Sequence, residues 1–157
     1  MIARCGFADN LVMHSAKTTL NMIRAALIFA IALYMFVGEQ WAAGNPGPMN
    51  AILFQVLAVV AVVNIALILI VRRSMVTPSL AILRSNSADA SALTRWRTGY
   101  VITYALCEAV ALYGFVLRIM GFSYRIVVPF YLASFILMIY FGPRTVEVQS
   151  DSVAGAH

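Results

Sequence analysis

Charge is scarce in this sequence. Only 11% of its 157 residues are Asp, Glu, Lys or Arg, against about 25% in an ordinary soluble domain. Histidine is scarcer still. His14 and His157 are the only two, and both lie outside the apolar runs, so no histidine is placed to ligate a b-type haem at membrane depth. Of the two cysteines, Cys5 lies near the N-terminus and Cys107 falls mid-way along an apolar run. A disulfide between them is not expected, and there is no CxxC pair and no metal-ligand spacing. A Ser/His/Asp set and paired carboxylates within a span are also missing. These absences point away from an enzyme and imply no cofactor and no metal.

What is abundant is apolar. Hydrophobic residues make up 62% of the chain, where a soluble domain has about 45–50%. A water-soluble fold of this size cannot hide that much apolar surface, so the remaining solvent is lipid. The net charge of +5 would suggest nucleic acid on a soluble protein. Here the positive residues flank apolar runs, and no basic cluster is interleaved with aromatics. The expected partner is the lipid bilayer, not nucleic acid.

The runs predict an all-α integral membrane protein with four transmembrane helices, at residues 23–41, 51–71, 99–120 and 124–142. The second run is the clearest: Gln55 and Asn64 are its only polar residues, and Arg72-Arg73 stops it. At 1.5 Å per residue it covers about 31 Å, the thickness of the hydrocarbon core. Residues 1–22 read as a juxtamembrane segment and 143–157 as a C-terminal tail. A cleaved signal peptide is the competing reading of the N-terminus, but Trp41 would occupy the −3 position before Ala43. Pro129 is expected to kink the fourth helix.

The connection after the first run is rich in Gly and Pro and has no Lys or Arg. Residues 72–98 read as a cytoplasmic loop carrying Arg72, Arg73, Arg84, Arg95 and Arg97, with a mobile Ser/Ala-rich middle. By the positive-inside rule both termini and that loop are cytoplasmic, which makes this a multi-pass inner-membrane protein. Arg118 and Arg125 then sit on the opposite side and are expected to snorkel to headgroups. Trp41, Trp96, Tyr100, Tyr124 and Tyr140 fall near span ends, where an aromatic belt is expected.

The first and third runs resemble each other. Residues 26–37 align with 105–116 at a constant offset of 79, with identity at eight of twelve positions. The second and fourth runs align poorly. The pattern predicts a four-helix bundle made of two parallel-repeat helical hairpins.

Glu108 is the one ionisable side chain deep inside a span. A carboxylate at that depth costs about 2.5–3.5 kcal/mol on insertion scales, and such residues are functional hypotheses by default. Tyr104, Ala105, Ala111 and Leu112 share its helix face. Asn64 and Ser134 lie at comparable depth on other spans. A polar centre of Glu108, Tyr104, Asn64 and Ser134 is therefore expected, serving either as a proton or ion site or as interhelical glue.

The run Glu108-Ala109-Val110-Ala111-Leu112-Tyr113-Gly114-Phe115-Val116 resembles the ion-binding helix of rotary ATPase proteolipid (c-type) subunits. That resemblance implies a proton-carrying carboxylate at Glu108 and a rotor-like assembly. The glycine-rich packing helix of those subunits has no counterpart here. Overall the chain looks like small four-span bacterial membrane proteins of unassigned function, a likeness that implies no activity. Three expectations follow. The first is a non-catalytic membrane protein held in a complex or homo-oligomer with membrane protein partners. The second is a small proton- or cation-coupled carrier using Glu108. The third is a proteolipid-like rotor subunit.

Overall fold

A computed structural model of the chain describes residues 3–42, 51–85 and 89–143. Among them there are five α-helices and no strand. The Gly/Pro-rich connection at 43–50, the middle of the next connection at 86–88 and the tail from 144 onward lie outside the described residues.

The first helix, α1, is one unbroken run of 40 residues, Ala3–Ala42. The segment read as a separate juxtamembrane piece continues directly into the first span, because no proline interrupts the helix. At about 60 Å, α1 is twice the hydrocarbon thickness.

The second helix, α2, covers Ala51–Val71. The chain does not leave helical geometry there. A π-helical turn at Arg72–Val76 leads into α3, Thr77–Ser85. Pro78 accounts for this turn. It has no N–H to give the Ser74 carbonyl, and its ring would clash there in an α-helix. The chain widens by one residue, and the Thr77 N–H and hydroxyl both reach the Arg72 carbonyl. The widened turn aims Val76, Ser79 and Leu83 into the protein, where all three are buried.

The fourth helix, α4, runs from Ala90 to Ile119. Much of the segment read as a loop at 72–98 is therefore helix, contributed from both sides. The start of α4 is fixed by Asp89, whose Oδ1 accepts from the Ser91 N–H at 2.9 Å, the Ala92 N–H at 3.0 Å and the Ser91 hydroxyl at 2.7 Å. These bonds hold the Asp89 carboxyl below its ordinary pKa, the Ala92 N–H contributing most. A depressed folded-state pKa gives stability that is present above the unfolded pKa and lost as pH falls through the folded one. Asp89→Asn is expected to keep the cap and flatten the acid side of the melting-temperature profile, whereas Asp89→Ala lowers stability at neutral pH. Thermal melts in detergent from pH 3 to 7 check both.

The last helix, α5, spans Tyr124–Tyr140 and continues through Pro129. It follows a tight turn at Gly121, whose φ of 86° favours glycine.

Helix α4 is the hub. It packs against α1, α2, α3 and α5, whereas α1 and α2 make no close backbone approach to each other. The contacts order its neighbours around α4 as α1, then α5, then α2. The remaining sector faces outward and carries Val101, Ala105, Leu112, Val116 and Ile119. Gly114 lets α5 in: a Cβ there would lie 3.0 Å from the Phe130 Cβ. Gly99 likewise admits the π-turn, at 2.8 Å from the Val76 Cγ2. Small residues at such crossings allow close helix approach.

The outside of the bundle is apolar. Phe29 is 71% exposed and Ile52 72%, and Val59, Val62, Leu69 and Ile136 are largely exposed too. Water would not tolerate such a surface and lipid does. Trp96 and Tyr100 depart from the expected belt. They are 2% and 0% exposed, because the π-turn and α3 fold back over this end of α4. Trp41, Tyr124 and Tyr140 do face outward.

Candidate functional site

Glu108 lies past the middle of α4, at the margin of its open sector, and is half-buried. It hydrogen-bonds one of the described residues. The Tyr34 hydroxyl, from α1, donates to its Oε1 at 2.8 Å. Tyr34 is held by ring contact with Phe115 at 5.5 Å between centroids. One lone-pair set of the carboxyl is thus engaged, and the rest is free to meet a further donor arriving from the open side. The lining of that side is apolar, with Ala105 and Leu112 on either flank of Glu108.

The other expected site residues are placed separately. The Asn64 Nδ2, from α2, donates to the Leu106 carbonyl at 3.0 Å. The Ser134 hydroxyl, from α5, donates to the Cys107 carbonyl at 2.6 Å. Both act on the backbone of α4 and tie their helices to it, the usual use of polar residues between helices in lipid. Tyr104 is fully buried and its hydroxyl has no partner among the described residues. Hydrogen bonds therefore do not join the four into one polar centre. They divide into two helix ties, one carboxyl on the open side and one orphan hydroxyl.

Two contributors went unrecognised in the sequence. Tyr34 is one, and the aligned runs held its signal: parallel packing of α1 and α4 near their offset brings Tyr34 close to Glu108. The second is the ion pair of Glu39 with Arg118. The Arg118 Nε and Nη2 donate to the two Glu39 oxygens at 3.0 and 2.7 Å, and Nη1 donates to the Phe122 carbonyl at 2.9 Å. Arg118 is thus held in a bidentate fork and does not reach out to a headgroup. Its guanidinium ties the far end of α1 to the α4–α5 turn.

No group of three or more His, Cys, Asp or Glu residues able to hold a metal occurs among the described residues. Three helices are long and apolar enough to cross a membrane, and α5 is apolar and shorter. This is the architecture of a multi-pass helical membrane protein. Comparison with protein families, with curated proteins and with solved structures finds no match.

Proposed function

We propose that the chain is a non-catalytic, four-span inner-membrane protein that works as a subunit of a homo-oligomer or larger membrane complex. The observation that carries this reading is Glu108. It is a half-buried carboxyl with a single donor among the described residues, set at the margin of the open α4 sector between Ala105 and Leu112. In hydrocarbon such a group is costly alone. A transmembrane helix of a second copy or a partner, closing over Ala105 and Leu112, would complete its hydrogen bonding.

In this reading α5, about 26 Å long, is the fourth span. Lys17, Arg24, Arg72, Arg73, Arg95 and Arg97 mark the cytoplasmic end, which puts both termini there. A duplicated hairpin accounts for the packing of α1 beside α4 in parallel. Glu39 and Arg118, the ion-paired residues, are themselves 79 apart, the offset of the aligned runs. Divergence of the copies then accounts for the gap between α1 and α2.

Native mass spectrometry from mild detergent tests the proposal. The wild type and Glu108→Gln, which keeps a hydrogen-bonding side chain, are expected to run as an assembly. Glu108→Ala is expected to run as a monomer. A strictly monomeric wild type without a co-purifying partner contradicts the proposal.

The same carboxyl favours a second reading, a proton- or cation-coupled carrier, to which the proteolipid likeness of 108–116 also belongs. In vesicles holding a pH-sensitive dye, that reading expects flux in the wild type and none in Glu108→Gln. Absence of flux in the wild type excludes it.

A further inference from the structure

At the arginine-rich end of the bundle, three buried hydrogen-bond donors cluster with no acceptor among the described residues. Arg24 comes from α1, Arg72 from the start of the π-turn and Tyr104 from α4. The Arg24 Nε, the Arg72 Nη1 and the Tyr104 hydroxyl are buried and lack hydrogen-bond partners among the described residues. Tyr104 is 0% exposed, so its hydroxyl has no recourse to solvent.

The two guanidinium groups flank the turn that ends α5. The Arg72 Cζ stacks 4.3 Å from the centroid of the Phe141 ring and 5.4 Å from that of Tyr100. The Arg24 Nη1 lies 2.8 Å from where a Gly142 Cβ would be. Glycine there leaves room for Arg24. The Tyr100 ring that Arg72 faces lies 6.0 Å from the Tyr104 ring, which puts Tyr104 next to the same cluster.

No described acid neutralises them. Glu39 is paired with Arg118 at the opposite end, Glu108 accepts from Tyr34, and Asp89 caps α4. Aromatic faces offset part of the charge on Arg72, but a ring accepts no guanidinium hydrogen bond as strongly as an anion does. Two half-buried cations, each with a buried unpartnered N–H, and an orphan phenol in one place are costly unless an acceptor completes them.

We infer that Arg24, Arg72 and Tyr104 form a binding site for a phosphate group at the membrane boundary. The chemistry fits. Guanidinium forks match phosphate oxygens bidentately, and a phenol adds one neutral donor. The end of α5 and the double arginine after α2 put the site at headgroup depth, where phosphodiester headgroups of anionic lipids are concentrated. A free phosphate monoester offers the same oxygens.

The test uses the full chain in a mild neutral detergent, with thermal unfolding followed on titration of three probes: short-chain phosphatidylglycerol, short-chain phosphatidylcholine and inorganic phosphate. Saturable stabilisation by phosphatidylglycerol, beyond that by phosphatidylcholine, supports the lipid as source. Stabilisation by inorganic phosphate at equal strength supports a free phosphate. Arg24→Gln combined with Arg72→Gln is expected to weaken the apparent affinity roughly tenfold or more, and Tyr104→Phe several-fold. Tyr104→Phe removes only an unpartnered oxygen, so its stability without added ligand is not expected to fall. It keeps the test decisive if the double variant fails to fold. The exposed Arg95→Gln serves as a control for general charge and is expected to bind as the wild type does. Equal responses from wild type and Tyr104→Phe, an effect of Arg95→Gln as large as that of the double variant, or no stabilisation by any probe would overturn the assignment.

Discussion

Gly114→Leu is expected to separate α5 from α4 and to remove most of the folded protein from a size-exclusion peak in detergent. The Cβ alone would sit 3.0 Å from the Phe130 Cβ and 3.5 Å from both Val127 Cγ1 and Tyr131 Cε1. The Phe130 Cβ is attached directly to the α5 backbone and cannot swing away, so α5 itself must move. A leucine then adds three further carbons to a crossing that has no room. Overpacking of this kind costs about 1–3 kcal/mol and occasionally more. Here it also threatens the bond from Ser134 to the Cys107 carbonyl, two turns along the same contact. A fall in melting temperature of roughly 2–12 °C is expected, at about 2–4 °C per kcal/mol for a chain of this size. Ala105→Leu adds similar bulk on the open face of α4 and is expected to leave the melting temperature of the monomer unchanged.

Glu39→Ala is expected to loosen the end of the bundle where α1 meets the α4–α5 turn. The Arg118 side chain is 16% exposed and that of Glu39 46%. Removing one partner of a buried pair costs about 3–5 kcal/mol, because a lone charge remains. Solvent screening at the exposed carboxylate brings the expected loss to roughly 1–2 kcal/mol. The charge swap, Glu39→Arg with Arg118→Glu, is expected to recover part of that loss. Recovery is incomplete because the swapped carboxylate cannot donate to the Phe122 carbonyl, as Arg118 does. Melting curves of the two single variants and the swap form a double-mutant cycle. A swap no more stable than the worse single variant contradicts a direct pair.

The helices were legible wherever one property persisted along the chain. Ala51 to Val71 is apolar for 21 residues, and no soluble element fits it. The N-terminal half of α1 was harder, since charged and polar residues within 1–22 break the apolar pattern while leaving helix formation intact. Residues 72–98 misled for a related reason. Pro78 and five arginines look like loop chemistry, yet a π-turn accommodates the proline and Asp89 nucleates the next helix. Trp96 and Tyr100 were read from sequence position alone. Whether an aromatic near a span end meets lipid or protein depends on what folds over it, here α3 and the π-turn.

The site was half legible. Glu108 stood out because a carboxyl at that depth is rare. Its partner did not, because Tyr34 is reached only once the register of α1 on α4 is known. Asn64 and Ser134 meet α4 at the Leu106 and Cys107 carbonyls, and position along a span does not fix the angle around the bundle. Arg24 and Arg72 read as ordinary orientation signals, and nothing in a single sequence distinguishes an arginine in headgroups from one turned inward under Phe141.

The open sector of α4 around Glu108 is the proposed assembly surface. Oxidative cross-linking in native membranes tests it most directly, using Leu112→Cys in a Cys5→Ser background that keeps the buried Cys107. An assembly through this sector is expected to give a covalent adduct of defined size that disappears when Glu108→Ala is added and persists with Glu108→Gln. No adduct, or one formed equally well from Phe29→Cys on the outer face of α1, contradicts it.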